Sequence, residues 1–131
     1  MYHMLAQANR KTLLIALTTL AGLYGVASAQ AAELVMFERA GCAWCLRWDR
    51  EIAPIYDKTD EAKLLPLRRI NLDREKPTGL QLASPVIYTP TFVVIDEGRE
   101  VGRILGYASD DAFWGLLGKL RTKLRPPPGQ T

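Results

Sequence analysis

The chain contains two cysteines, and they stand together as Cys42-Ala43-Trp44-Cys45. They lie where an apolar run, Leu34-Val35-Met36-Phe37, gives way to a helical pattern. Two thiols at this spacing on the first turn of a helix lie close enough to close a disulfide. The partial positive charge of the helix end also stabilises a thiolate. The pattern therefore asks for a buried strand, a turn at Gly41 and a helix that opens on a dithiol.

Other chemistries use the same spacing. Tetrahedral zinc needs four ligands, or three and a water. The single histidine, His3, is far away near the N-terminus and no second cysteine pair exists. A zinc ribbon or finger is thus short of ligands, and we assign no metal. A c-type haem site needs histidine after the second cysteine, where Leu46 stands. An inert stapling disulfide is the remaining alternative, although such bridges usually close longer loops. Two cysteines without a nearby histidine would also suit Cu(I), so a copper-handling or non-catalytic thiol-binding module stays open.

Residues 1–29 have the form of a secretory signal. Arg10 and Lys11 supply the basic start, Thr12 to Val26 the apolar stretch, and Ala27-Ser28-Ala29 a small-residue cleavage site. Ala29-Gln30-Ala31 is a second possible site. An uncleaved anchor is the alternative, but the run is slightly short for a membrane span of roughly 20 residues. Cleavage removes two of 17 basic residues against 14 acidic ones, taking the net charge from +3 to +1. The basic balance of the whole chain therefore says nothing of nucleic acid, and no basic stripe with interleaved aromatics appears. Export also places the thiols where a disulfide persists.

One domain is expected over residues 30–124, with a disordered proline-rich tail over 125–131. Leu34–Glu38 forms a first strand. A helix follows from Cys42 to about Lys58, kinked at Pro54, with Cys45, Trp48, Ile52 and Ile55 on one face. Leu64–Leu72 forms a second strand, and Asp73–Ala83 a loop with a short helix. Thr91–Ile95 is apolar on both faces and hence central. Glu97-Gly98 turns the chain into Glu100–Leu105, antiparallel to it. Asp110–Leu124 closes the chain as a helix capped by Ser109, with Phe113, Leu116, Leu117 and Leu120 on one stripe. The order is β-α-β-α-β-β-α: an α/β domain whose four-stranded mixed sheet carries helices on both faces.

That order, with C-x-x-C opening the first helix, resembles the thioredoxin fold. Thr89-Pro90-Thr91 stands directly before the central strand, where this family carries a cis-proline beside the dithiol. Arg69-Ile70-Asn71-Leu72-Asp73 is similar to the family's third-strand pattern, and Gly106 matches the glycine after the last strand. More narrowly, Met36-Phe37-Glu38 through Cys45, then Trp48 and Glu51 to Tyr56, resembles the periplasmic thioredoxins encoded with bacterial sulfur-oxidation systems.

The resemblance implies a thiol–disulfide oxidoreductase that needs no cofactor beyond its sulfurs. Cys42 would attack and Cys45 resolve, while Trp44, Thr89 and Pro90 would meet the substrate. The implied setting is the periplasm. The implied partners are a disulfide-bearing periplasmic protein as substrate and a membrane thiol transporter as electron donor, with the protein a monomer. The chain departs from cytosolic thioredoxins in two places. Ala43-Trp44 replaces the Gly-Pro between their cysteines, and Met36 occupies the position of their buried acid. Glu38 shares the face of Met36 by strand alternation, so it is a candidate substitute; a surface salt-bridging role is the alternative. Arg69 falls where the family carries a lysine near that acid, or is an edge-of-sheet charge. A disulfide-inserting oxidase and an isomerase remain alternatives to a reductase, since direction follows from the reduction potential.

Overall fold

The computed structural model describes residues 31–125. The expected signal over 1–29, and all of the expected tail except Arg125, lie outside the described residues. The elements are β1 (Glu33–Glu38), α1 (Ala43–Glu51), α2 (Ala53–Tyr56), α3 (Asp60–Leu64), β2 (Leu67–Asn71), β3 (Thr91–Asp96), β4 (Arg99–Leu105) and α4 (Asp110–Arg121).

The strands form one mixed sheet in the order β2-β1-β3-β4. β1 pairs parallel with β2, with Met36 opposite Arg69, and antiparallel with β3, with Phe37 opposite Thr91. β3 pairs antiparallel with β4. The two central strands are buried along nearly their whole length, which is why both read as continuous apolar runs.

Alternation on these strands divides the core in two. Leu34, Met36, Phe92, Val94 and Ile104 face one side, where Cys45, Trp48, Ile52, Tyr56, Phe113 and Leu117 pack over them. Val35, Phe37, Ile70, Val93 and Ile95 face the other, against Leu72, Leu80, Leu82 and Val86. Both long helices therefore lie on one face. The second face is covered by the 72–86 segment, which forms no helix where a short one was expected. Pro77, Gly79 and Pro85 interrupt it, and proline removes a helical donor. Three leucines and a valine are partly buried there without regular structure.

The first helix also differs from the continuous, kinked element expected to Lys58. Pro54 has no N–H to offer the Arg50 carbonyl, so α1 ends at Glu51 and α2 restarts with proline in its first turn, where no donor is needed. Tyr56, about three turns beyond Cys45, takes the inner position, and Ile55 is exposed. The Tyr56 hydroxyl donates to the Leu65 carbonyl at 2.7 Å, anchoring the turn into β2. Leu64, expected to begin the second strand, is the last residue of α3 instead, and the strand starts at Leu67. The Thr59 hydroxyl caps α3 by accepting the Ala62 N–H at 3.2 Å, and Asp60 and Glu61 complement its dipole. Pro66 precedes the strand proper. At the far end α4 stops at Arg121, short of the Leu124 expected, and Leu116 is exposed beside the buried Phe113, Leu117 and Leu120.

Candidate redox site

The sheet register brings four chain segments to one edge of the domain. The C-terminal end of β1 leads through residues 39–41 into Cys42. The N-terminal end of β3 carries Pro90, whose carbonyl accepts the Gly106 N–H just past β4 at 2.7 Å. The Thr89–Pro90 peptide is cis, and Pro90 is buried. The turn before Cys42 is held by Asp73 beyond β2. Its carboxylate accepts the Ala40 N–H at 2.8 Å and pairs with Arg39 at 3.3 Å. Gly41 follows at φ 72°, a left-handed conformation that glycine adopts without strain.

Cys42 is the N-cap of α1, and Cys45 lies one turn in. They form a disulfide with Cα atoms 5.2 Å apart. Cys42 is half-buried, whereas Cys45 is only 4% exposed. The Cys45 N–H points at the Cys42 Sγ at 3.1 Å. An N-cap side chain that accepts the N3 amide is the ordinary way to satisfy an orphan donor. Here the acceptor is sulfur, so the same amide stabilises negative charge on Cys42 once the disulfide opens. No acidic residue occupies the first turn of α1 to oppose it.

Trp48 forms the floor. It is fully buried, with ring centroids 5.3 Å from Phe92 and 5.8 Å from Phe113. Trp44 does not pack on Trp48 along the helix. It is 54% exposed and lies against Arg47, whose guanidinium carbon is 5.6 Å from its ring centre.

Met36 is fully buried in the apolar core. Glu38 projects to the α1 side of the sheet, as alternation requires, and pairs there with Arg69. The same guanidinium reaches Asp49 of α1 at 2.7 Å and lies 5.9 Å from the Trp48 ring centre. Hydrogen bonding to Asp49 raises the Arg69 pKa further above its already high value. The structure thus brings Glu38 and Arg69 together and adds Asp49, which the sequence reading did not single out. Nothing in its spacing marks Asp49; only docking of α1 on β2 makes it a partner.

A second polar cluster also escaped the sequence reading. Arg47 donates to Glu51 at 2.9 Å, and the Tyr107 hydroxyl donates to the other Glu51 oxygen at 2.6 Å. The i,i+4 spacing of Arg47 and Glu51 was a legible signal; the arrival of Tyr107 was not. The Tyr107 hydrogen bond, then Arg47, hold the Glu51 carboxyl below its usual range. Burial, then Glu51, push the Tyr107 phenol up to about 12.

Comparison with known proteins places this geometry. No family model and no curated protein matches the chain. Among solved structures, the periplasmic thioredoxin SoxS from Paracoccus pantotrophus, in its reduced form, is 46% identical over 70% of this chain and 97% of its own, with a TM-score of 0.67. A thioredoxin-fold protein from Helicobacter pylori is 20% identical over 70% of this chain and 72% of its own, with a TM-score of 0.54, and shows the fold alone. Identity at the first level, across nearly the full relative, reaches beyond fold to chemistry. The chain belongs to the thioredoxin family, with the SoxS-type periplasmic thioredoxins among its kin, and is a thiol–disulfide oxidoreductase.

Proposed function

We propose that the protein is a periplasmic thioredoxin that keeps a cysteine of an exported partner protein reduced, the partner being a carrier of a sulfur-oxidation system. The asymmetry of the two sulfurs carries this reading: a half-buried Cys42 at a helix cap beside a buried Cys45. In the reduced protein the Cys42 thiolate attacks one sulfur of the partner disulfide. That S–S bond breaks, the partner's other sulfur leaves as thiolate and takes a proton, and a mixed disulfide forms. Cys45 then loses its proton and attacks the Cys42 sulfur. The partner departs as a dithiol, and the Cys42–Cys45 disulfide remains. Two electrons have passed to the partner. A membrane thiol transporter returns them.

Met36 offers no carboxylate to take the Cys45 proton. Water or Glu38, on the α1 side of the sheet and paired there with Arg69, fills that role. Thr89 and Pro90 present backbone to an extended partner segment, and Trp44 gives the partner a flat apolar contact. The 46% identical periplasmic relative supports the location.

Mutation of the sulfurs tests the roles. Cys42→Ser abolishes reduction of a protein disulfide, and Cys45→Ser accumulates a mixed disulfide that mass spectrometry detects and that identifies the partner. Full activity in Cys42→Ser would remove the nucleophile assigned here. A reduction potential near those of strong oxidants, instead of the low value of a reductase, would reverse the direction.

A further inference from the structure

The Arg47 guanidinium lies between two aromatic rings from different elements. Its central carbon is 5.6 Å from the Trp44 ring centre and 5.6 Å from the Tyr107 ring centre. It is held there from two sides. Nε donates to Glu51 at 2.9 Å, and Nη1 reaches the Ala108 carbonyl at 3.4 Å. Glu51 is fixed in turn by the buried Tyr107, whose hydroxyl donates at 2.6 Å. One arginine thereby ties Trp44, one of the two residues between the cysteines, to the loop that follows β4. Gly106 of that loop donates to the Pro90 carbonyl.

The consequence concerns Trp44. Trp44 is more than half exposed, and the Arg47 cation lies over its ring. A ring standing free on a helix surface samples several rotamers. A guanidinium over it, held by hydrogen bonds to Glu51 and the Ala108 carbonyl, restricts that freedom before any partner arrives. Pre-ordering of this kind lowers the cost of binding a large partner. A small disulfide that touches only the sulfurs gains nothing from it.

We propose that Arg47 is a positioning residue that sets preference for protein over small-molecule disulfides, by holding Trp44 as a preformed contact beside Cys42. This rests on the reading of Trp44 as a partner contact.

The test compares the parent protein with Trp44→Ala, Arg47→Ala, Arg47→Lys and the Trp44→Ala/Arg47→Ala double variant. Second-order rates of the reduced proteins are measured with insulin and with glutathione disulfide. Arg47→Ala slows insulin reduction roughly three- to tenfold, the scale of one lost cation–π and hydrogen-bonded contact. It leaves the glutathione disulfide rate and the reduction potential unchanged. The double variant is no slower than Trp44→Ala alone, because Arg47 acts through that ring. Arg47→Lys restores only part of the rate, since an ammonium keeps the charge without the planar group that reaches Glu51 and Ala108 together. Trp44 emission, isolated by difference from a Trp44→Phe variant, loses anisotropy in Arg47→Ala.

Equal slowing with both disulfides, no slowing with either, or a full additional factor in the double variant overturns the proposal. An unaltered insulin rate in Trp44→Ala removes Trp44 as a contact and takes the proposal with it. Failure of the parent protein to react with glutathione disulfide sinks the dithiol reading beneath both.

Discussion

Trp48 shows how one side chain serves fold and site together. Its ring packs on Tyr56, Phe92 and Phe113, and it sits one helical turn past Cys45. Its Nε1 is buried with no hydrogen-bond partner, so the indole carries an unpaired donor for the sake of its size. Trp48→Ala is expected to cost about 3–5 kcal/mol of stability, read from urea denaturation. Trp48→Phe costs well under that, because it keeps most of the packing and removes the unpaired N–H. The buried place of Trp48 followed from its spacing to Cys45. The exposure of Trp44 did not: packing on Trp48 at i+4 and projection to solvent fit the sequence equally. In the fold Trp44 projects to solvent, with the Arg47 cation at i+3 over its ring. In the same way alternation predicted the face of Glu38, while its sharing of Arg69 with Asp49 required α1 to be seated on the sheet.

Helix ends were more readable than helix lengths. Ser109 caps α4 as expected: its hydroxyl accepts the Ala112 N–H at 3.2 Å, with Asp110 and Asp111 in the first turn. Ser109→Ala is expected to lower stability by about 1 kcal/mol, seen as a lower urea midpoint with an unchanged slope. Because Phe113 and Leu117 of α4 lie in the same cluster as Cys45 and Trp48, the loss should also speed hydrogen exchange in α1. The interruption between α1 and α2 has a local cause in Pro54, but its effect is tertiary: Tyr56 enters the core and Ile55 stays out. Leu64 and Leu65 read as the start of the second strand because they extend the apolar alternation of β2, yet Leu64 closes α3 and the strand begins at Leu67. Thr59, Asp60 and Glu61 are a stronger signal for a helix start, and the cap prevailed.

Across the domain, ion pairs replace the secondary structure that the 72–86 segment lacks. Glu100 and Arg103 of β4 pair at 2.6 Å with both side chains largely buried. Glu100 also accepts the Ala83 N–H at 2.8 Å, and Arg103 donates to the Ser84 carbonyl at 2.9 Å. Together they pin the chain that runs on to Pro90. Arg103 first, with the Ala83 amide assisting, holds the Glu100 carboxyl below its usual value; Tyr107 and Arg47 do the same for Glu51. A carboxyl whose folded pKa is depressed stabilises the fold above its unfolded pKa of about 4.3. That contribution disappears as pH falls through the lower folded value. The urea midpoint should therefore stay level from about pH 7 to pH 5 and fall below about pH 4. The decline should be shallower in Glu100→Gln. An equal decline in that variant would show that Glu100 is not the linked group.

Short-range chemistry was enough to foresee the strands, the opening of the active helix on Cys42, the cap at Ser109 and the central place of Thr91–Ile95. Each depends on period, turn residues or an orphan amide within a few positions. Two further facts needed the assembled domain: that both long helices cover one face while an irregular segment seals the other, and that Tyr107 reaches Glu51 and Arg47 beside the dithiol. These contacts join residues tens of positions apart, and no local pattern records where a chain returns. The two sulfurs were legible because their chemistry is adjacent in sequence; the groups that orient the site around them are neighbours only in space.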